Sequence, residues 1–256
     1  MATSPLAARE TVREERFKEI WSNELNDAFA DIARYYDRAN EIAALGMWSN
    51  FLDRFMRSVD IQPDQKVLDV CAGTNAIGVA LLKREPGLDV HAMDRSAEMQ
   101  AVGQKNAAAL GFTIKSTIGD VHKLPFPDNH FDVVTLQFAS RHLRIREVFS
   151  EILRVLKPGG HFHHSDMLRP RNPLVKNLYY GYLKACLNFT STIVGSGPNA
   201  VKFKQYFIDA LDLFYSAEEL SIMLRELGFV EVSVDRVFYG MIGFHRAVKP
   251  VAGRPK

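Results

Sequence analysis

Apolar positions keep two different rhythms along the chain. Over residues 17–56, Ile20, Leu25, Phe29, Ile32 and Tyr36 recur at roughly helical spacing, which predicts two or three helices. Gly46 interrupts the pattern and a further helix is expected over 48–58. Beyond Pro63-Asp64 the rhythm shortens. Residues 66–70 read as a strand ending before Gly73, 77–83 as an apolar helix stopped by Pro86-Gly87, and 90–93 as a second strand. Residues 97–110 form a helix closed by Gly111, a common helix-ending signal. Residues 113–118 alternate like a strand, 131–137 suit a mostly buried one, and 148–156 are helical up to Lys157-Pro158-Gly159-Gly160, with strand returning over 161–166. Strands alternating with helices at this spacing imply an α/β fold, a doubly wound and mostly parallel sheet covered on both faces.

The second half departs from this alternation. Residues 174–214 are helical in texture, rich in Tyr, Phe and Leu, with a break at Gly195-Ser196-Gly197-Pro198. Ser216 and Glu219 make a capping-box pattern that opens a helix over 217–227, and 230–234 and 237–245 supply two closing strands. The expected organisation is an N-terminal helical cap over 1–58 and a catalytic domain over 59–256 carrying a helical insertion at 167–214. That insertion follows the carboxyl end of a strand, the edge where open α/β sheets bind ligands, so it is placed to cover a cleft. Residues 9–19, dense in both signs of charge and without a start signal, read as a frayed or helical extension.

Composition narrows the class without naming a function. The 256 residues are 47% hydrophobic and 24% charged, and 32 Lys+Arg against 30 Asp+Glu leave a formal charge of +2, so no footprint for nucleic acid stands out. Apolar runs are too short to span a bilayer, and the first residues lack the apolar core of a secretion signal. Two distant cysteines, Cys71 and Cys186, exclude a disulfide scaffold or a Cys-rich zinc site. These features point to a cytoplasmic globular protein.

The chemistry gathers at predicted strand ends. Val67-Leu68-Asp69-Val70-Cys71-Ala72-Gly73-Thr74-Asn75 is a strand feeding a small-residue turn and a helix, whose N–H groups suit a carboxylate or phosphate. Asp69 would repel a pyrophosphate but suits an ammonium group, favouring a ligand with both amine and carboxylate. The run is neither Gly-x-Gly-x-x-Gly nor a Walker sequence. Asp94, with Arg95 beside it, ends the next strand where doubly wound folds bind a ribose diol. Asp120, followed by Val121, stands at a third strand end, suited to an exocyclic amine. Amino acid, ribose and adenine met in that order describe S-adenosylmethionine.

The order Asp69…Gly73, Asp94, Gly119-Asp120, Phe131-Asp132 and Lys157-Pro158-Gly159-Gly160 resembles the Rossmann-like class I S-adenosylmethionine-dependent methyltransferases. More specifically, Phe29-Ala30-Asp31-Ile32-Ala33…Tyr36-Asp37…Asn40, Leu124-Pro125-Phe126-Pro127-Asp128-Asn129 and Gly240-Met241-Ile242…His245-Arg246 are similar to the C-methyltransferases of ubiquinone and menaquinone biosynthesis. The resemblance implies that Asp69, Gly73, Thr74 and Asn75 hold the amino-acid end, Asp94 and Arg95 the ribose region, and Asp120 and Val121 the adenine. Tyr36 would close over the cofactor, with Gln137 and Arg141 lining the methyl-transfer region. It implies transfer to carbon of an aromatic or quinone-type small molecule; an oxygen or nitrogen acceptor, or a non-catalytic scaffold, are the alternatives.

Departures from the family fall where glycine or acceptor groups are usual. Ala72 and Asn75 stand at glycine positions; Asn tolerates positive φ, and its amide could bond the cofactor carboxylate. Arg141-His142 replaces Arg-Asn, and Trp48-Ser49 replaces His-Arg. Arg141 would favour a phenolate acceptor and His142 act as a base of near-neutral pKa, or Arg141 would merely pair with Asp166 or Glu147. His161 and His163 share one strand face, His164 and Asp166 the other, which argues against one metal site and for acceptor-pocket lining. Tyr179, Tyr180, Tyr182, Phe189, Phe203, Tyr206, Phe207 and Phe214 suit core or the wall of a ring-binding pocket. Arg169, Arg171, Lys176 and Lys184 suit either a solvated face or a peripheral membrane contact, and a homodimer stays open.

Overall fold

The computed structural model describes residues 5–193 and 204–251. The chain opens with α1 (Pro5–Glu19), a π turn (Ile20–Glu24), α2 (Leu25–Ile32), a short 3-10 turn (Ala33–Tyr35), α3 (Tyr36–Ala43) and α4 (Trp48–Ser58). Alternation then begins: β1 (Lys66–Val70), α5 (Ala76–Arg84), β2 (Asp89–Asp94), α6 (Ala97–Ala109), β3 (Lys115–Ile118), β4 (Phe131–Gln137), α7 (Ile145–Val155) and β5 (Leu156–Met167). The insertion contributes α8 (Pro173–Ile193) and α9 (Lys204–Asp212), and α10 (Ala217–Glu226), β6 (Val230–Val237) and β7 (Ile242–Val248) complete the chain.

Among the described residues, seven strands form one sheet in the order β3-β2-β1-β4-β5-β7-β6. The first five are parallel, and β7 runs antiparallel to both its neighbours. Side-chain alternation splits the core into two layers. Leu68 and Val70 face the layer holding Phe149, Ile152 and Leu220, whereas Val67 faces the layer holding Phe55, Ile77 and Leu81. Ile145, Val148, Phe149, Ile152 and Val155 are the buried stripe of α7, the 3.6-residue rhythm of a helix that covers a sheet. The capping box forms as expected: Ser216 Oγ accepts from Glu219 N while the Glu219 carboxylate accepts from Ser216 N.

Three boundaries differ from the sequence reading. Strand β5 starts at Leu156, opposite Phe131, and passes a register shift before His161 pairs with Val133; the left-handed Gly159 (φ +80°) absorbs the irregularity. The segment 237–245 is not one strand. It turns at Phe238–Gly240, so the two last strands are β6 and β7 as given above. Residues 9–19 are part of an ordered helix whose Phe17, with Trp21, packs on Tyr206 and Ala210. The Gly195-Ser196-Gly197-Pro198 break, Phe203 and the Phe189 side chain lie outside the described residues.

Candidate active site

Parallel strands bring their carboxyl ends to one edge, which is how Asp69, Asp94, Asp120 and Gln137 come together. The turn after β1 is wound tightly, with Cys71, Gly73 and Asn75 all at positive φ. Ala72 N donates to Met93 O at 3.1 Å, and Asn75 N donates to Ala72 O at 2.8 Å. Gly73 N donates to Asp94 Oδ2 at 2.8 Å while Ser96 N donates to Asp94 Oδ1 at 2.9 Å, so this carboxylate joins β2 to the turn. Each oxygen keeps accepting capacity.

Two crevices meet along this edge. One is lined by Tyr36, Gly73, Asp94, Asp120, Val121 and Gln137, the other by Asp69, Thr74, Asp37 and Trp48. They share Tyr36, Cys71, Gly73, Gln137 and Phe138. Asp69 Oδ1 accepts from Thr135 Oγ1 at 2.7 Å, but Oδ2 is buried without a hydrogen bond, as is Gln137 Nε2. Burial raises the Asp69 carboxyl to about 7. A buried carboxylate lacking a donor in a crevice fits an incoming ammonium group. Thr74 Oγ1 donates to Asp37 Oδ1 at 2.9 Å, and burial raises the Asp37 pKa as well. At the far end, Asp120 Oδ1 pairs with His122 Nδ1 at 2.5 Å, and His122 Nε2 accepts from Arg144 N at 3.2 Å. These residues fit the amino-acid, ribose and base portions of S-adenosylmethionine.

Asn75 does not do what its amide suggested. Its Oδ1 accepts from Gln100 Nε2 at 3.0 Å and its side chain lies under α6 against Gly103, away from both crevices. The residue supplies a left-handed turn position instead (φ +59°). A Cβ on Gly103 would lie 2.7 Å from Asn75 Cγ and 2.9 Å from the Thr74 carbonyl carbon. Gly103→Ala is therefore expected to push the turn out of shape, costing about 1–3 kcal/mol of stability despite the better helix former. It is also expected to weaken cofactor binding at least tenfold, read by calorimetric titration.

Arg95 Nη1 donates to Trp21 O at 2.6 Å, so it lines the crevice and also ties the N-terminal helices to β2. Arg141 is buried, donating from Nη1 to Asp166 Oδ1 at 2.6 Å and to Phe138 O at 2.8 Å. It lies behind the crevice wall; of its two expected partners Asp166 takes it, and Glu147 pairs with Arg144 instead. His142 does line the crevice, its Nδ1 2.7 Å from Tyr206 Oη. Burial, then the charges of Arg141 and Arg13, push its pKa well below the ordinary value, which overturns the near-neutral base. His163 and His164 are buried in the sheet and line none of the crevices described here, correcting the acceptor-lining reading. Among the described residues no group of three His, Cys, Asp or Glu side chains is placed to hold a metal ion.

Thr135, Gln100, His122 and Asp37 escaped sequence reasoning as site residues. Two signals were legible: Thr135 is a polar residue inside the apolar run of β4, and Asp37 stands in the motif next to Tyr36.

This strand order with its crevice at the carboxyl edge defines a class I methyltransferase fold, the class that uses S-adenosylmethionine. The Haemonchus contortus phosphoethanolamine N-methyltransferase 2, solved with phosphomonomethylethanolamine and S-adenosylhomocysteine, shares it at a TM-score of 0.61 and 18% identity, over 80% of this chain and 53% of that one. The chain belongs to the ubiE/COQ5 methyltransferase family, whose model matches residues 16–249. It is 31% identical to the demethylmenaquinone methyltransferase of Paenarthrobacter aurescens over 89% of this chain and 87% of that one. It is 30% identical to the ubiquinone/menaquinone biosynthesis C-methyltransferase UbiE of Rickettsia bellii over 91% and 97%.

Proposed function

We propose that the protein methylates a ring carbon of a quinol-type aromatic acceptor whose bulk is apolar. The observation that carries this reading is a cavity of about 380 Å³ that meets the cofactor crevice at Trp48 and Phe138. Phe51, Met167, Leu183 and Met241 wall it, with Asn40, Tyr179 and Tyr182 as its polar groups. Such a lining receives a ring with an apolar substituent and rejects a small charged metabolite. The names of the curated relatives support the acceptor class.

When bound, the cofactor supplies an activated methyl group on a sulfonium, so the chain's work is placement and charge control. In this proposal Asp69, Thr74 and the Gly73 backbone hold the amino-acid end, and Asp94 holds the ribose with Arg95 alongside. Asp120 and Val121 hold the base, with Tyr36 and Gln137 over the join; Asn75 shapes the turn. Arg141 acts through its field. Burial pushes up the phenol pKa of Tyr36, which lines the crevice, and of Tyr179, which lines the acceptor cavity; the Arg141 charge draws both down, and its partner Asp166 works against it at Tyr179. The same field favours a phenolate on an acceptor at the join, raising the nucleophilicity of its ring carbon. His142, neutral, presents a ring nitrogen without a hydrogen-bond partner at the crevice wall.

Incubation with methyl-labelled cofactor and a panel of tailed quinols, tailless quinols and small amines tests the reading. Label on a ring carbon of the quinols is the expected result. Label on oxygen or nitrogen, or none on any quinol, overturns it.

A further inference from the structure

We propose that the face built by α8 and the tip of the β6–β7 hairpin docks on a bilayer surface containing anionic lipid, with the acceptor cavity opening against it. This rests on the apolar acceptor proposed above. Among the described residues no helix is long and apolar enough to cross a membrane, so an acceptor dissolved in lipid must be met at the surface.

Four observations converge on that face. First, Leu174 and Leu178 on α8 are 68% and 67% exposed, and Tyr182 continues the row at the same spacing of four, one face of the helix. Second, the hairpin tip places Phe238 (φ +51°), Tyr239 (φ +55°) and Gly240 (φ +85°) in the left-handed region. Two successive aromatic residues there are uncommon and strained, and the strain projects Tyr239 outward at 88% exposure. Third, helix and tip are neighbours: Phe238 shares the acceptor-cavity wall with Leu178 and Tyr182, and Tyr239 shares a concavity of about 570 Å³ with Arg171 and Val175. The exposed side chains at the cavity mouth are thus the docking side chains.

Fourth, the charge matches. Helix α8 carries no acidic residue and two lysines, Lys176 and Lys184, and Arg169 and Arg171 precede it. Lys176 pairs with Asp212 at 2.9 Å, Arg169 with Glu219 at 2.8 Å and Arg236 with Glu218, leaving a net positive rim at Arg171 and Lys184. Apolar side chains with an aromatic tip and a basic rim suit the boundary of an anionic bilayer. A second copy of the chain would set like charge against like charge.

Co-sedimentation with phosphatidylcholine vesicles, with and without about one-third phosphatidylglycerol, tests this. Binding about tenfold stronger to the anionic vesicles is expected, and about tenfold loss in Leu174→Glu/Tyr239→Ser and in Arg171→Glu/Lys184→Glu. None of these four side chains lines the cofactor crevice or the acceptor cavity. Both variants should therefore methylate a tailless, water-soluble quinol like the wild type while losing turnover of a tailed quinol held in vesicles. Equal binding to both vesicle types, or unchanged binding in either variant, overturns the proposal. So does self-association abolished by Leu174→Glu/Tyr239→Ser without vesicle binding, which would assign the face to a second copy. Vesicle binding without methylation of any quinol would keep the docking face and remove the acceptor reading.

Discussion

Arg13→Met is expected to melt about 10 °C below the wild-type protein in scanning calorimetry. Arg13 is fully buried in α1. Its Nη2 donates to Arg141 O at 3.0 Å and to Leu143 O at 3.2 Å, and its Nη1 pairs with Glu10 Oε2 at 2.8 Å. The guanidinium carbon also sits 5.3, 5.0 and 5.4 Å from the ring centres of Trp21, Phe214 and Tyr215. Methionine fills most of the volume but returns none of the donors. Two carbonyl groups lose their partner, and Glu10 keeps only Tyr215 Oη and the Arg146 N–H. Removing one partner from a buried ion pair costs about 3–5 kcal/mol, and in a chain of this size each kcal/mol is about 2–4 °C.

The consequence reaches the active site. Arg13 joins the N-terminal helices to the segment carrying Arg141 and His142, and the same helices line the cofactor crevice through Trp21, Leu25, Phe29 and Tyr36. Arg13→Met is therefore expected to weaken cofactor binding as well as melting temperature. An unchanged melting point would show that the buried guanidinium does no fastening.

Arg13 also shows where sequence reading stops. A charged residue in a mixed-charge helix reads as surface, and nothing local tells it that Trp21, Phe214 and Tyr215 will close around it. Strands β1 and β4 were legible to the residue because a buried parallel strand is a short apolar run between Pro, Gly or Asp punctuation. The turn at Phe238–Gly240 was hidden because aromatic residues favour strands, and the left-handed backbone there contradicts their propensity. The three strand-end acids were legible because topology alone brings parallel strand tips to one edge. Asn75 was not: residue type suggested a ligand contact, but its direction is set by Gly103 and Gln100, about 25 residues away in sequence.

Cofactor affinity is expected to fall as pH drops below about 7, because Asp69 must lose a proton before it can receive an ammonium group. With no ligand its carboxyl titrates at about 7, raised mainly by burial, then lowered by Thr135 and raised by Asp94. At pH 6 most molecules carry that proton and binding expels it; at pH 8 most do not. The loss approaches about tenfold per pH unit below the midpoint; above about pH 8 affinity falls again as the ligand's own α-amino group loses its proton. The unliganded fold shows the opposite sign. Its Asp69 holds a proton more tightly than the unfolded chain does, so its contribution to stability is present at low pH and is lost as pH rises through about 7. Titration calorimetry at pH 6, 7 and 8, in two buffers of different ionisation heat, should count nearly one proton released at pH 6 and a net uptake at pH 8, where about half of the ligand's α-amino groups must gain a proton to bind as ammonium. Thr135→Val removes the donor to Oδ1 and should move the midpoint upward. Asp69→Asn should abolish the proton release at pH 6 and weaken binding about 10²-fold at pH 8, the worth of a charge-assisted hydrogen bond. A proton count that stays flat across the range would separate Asp69 from the ammonium group, and with it the orientation of the whole cofactor in the crevice.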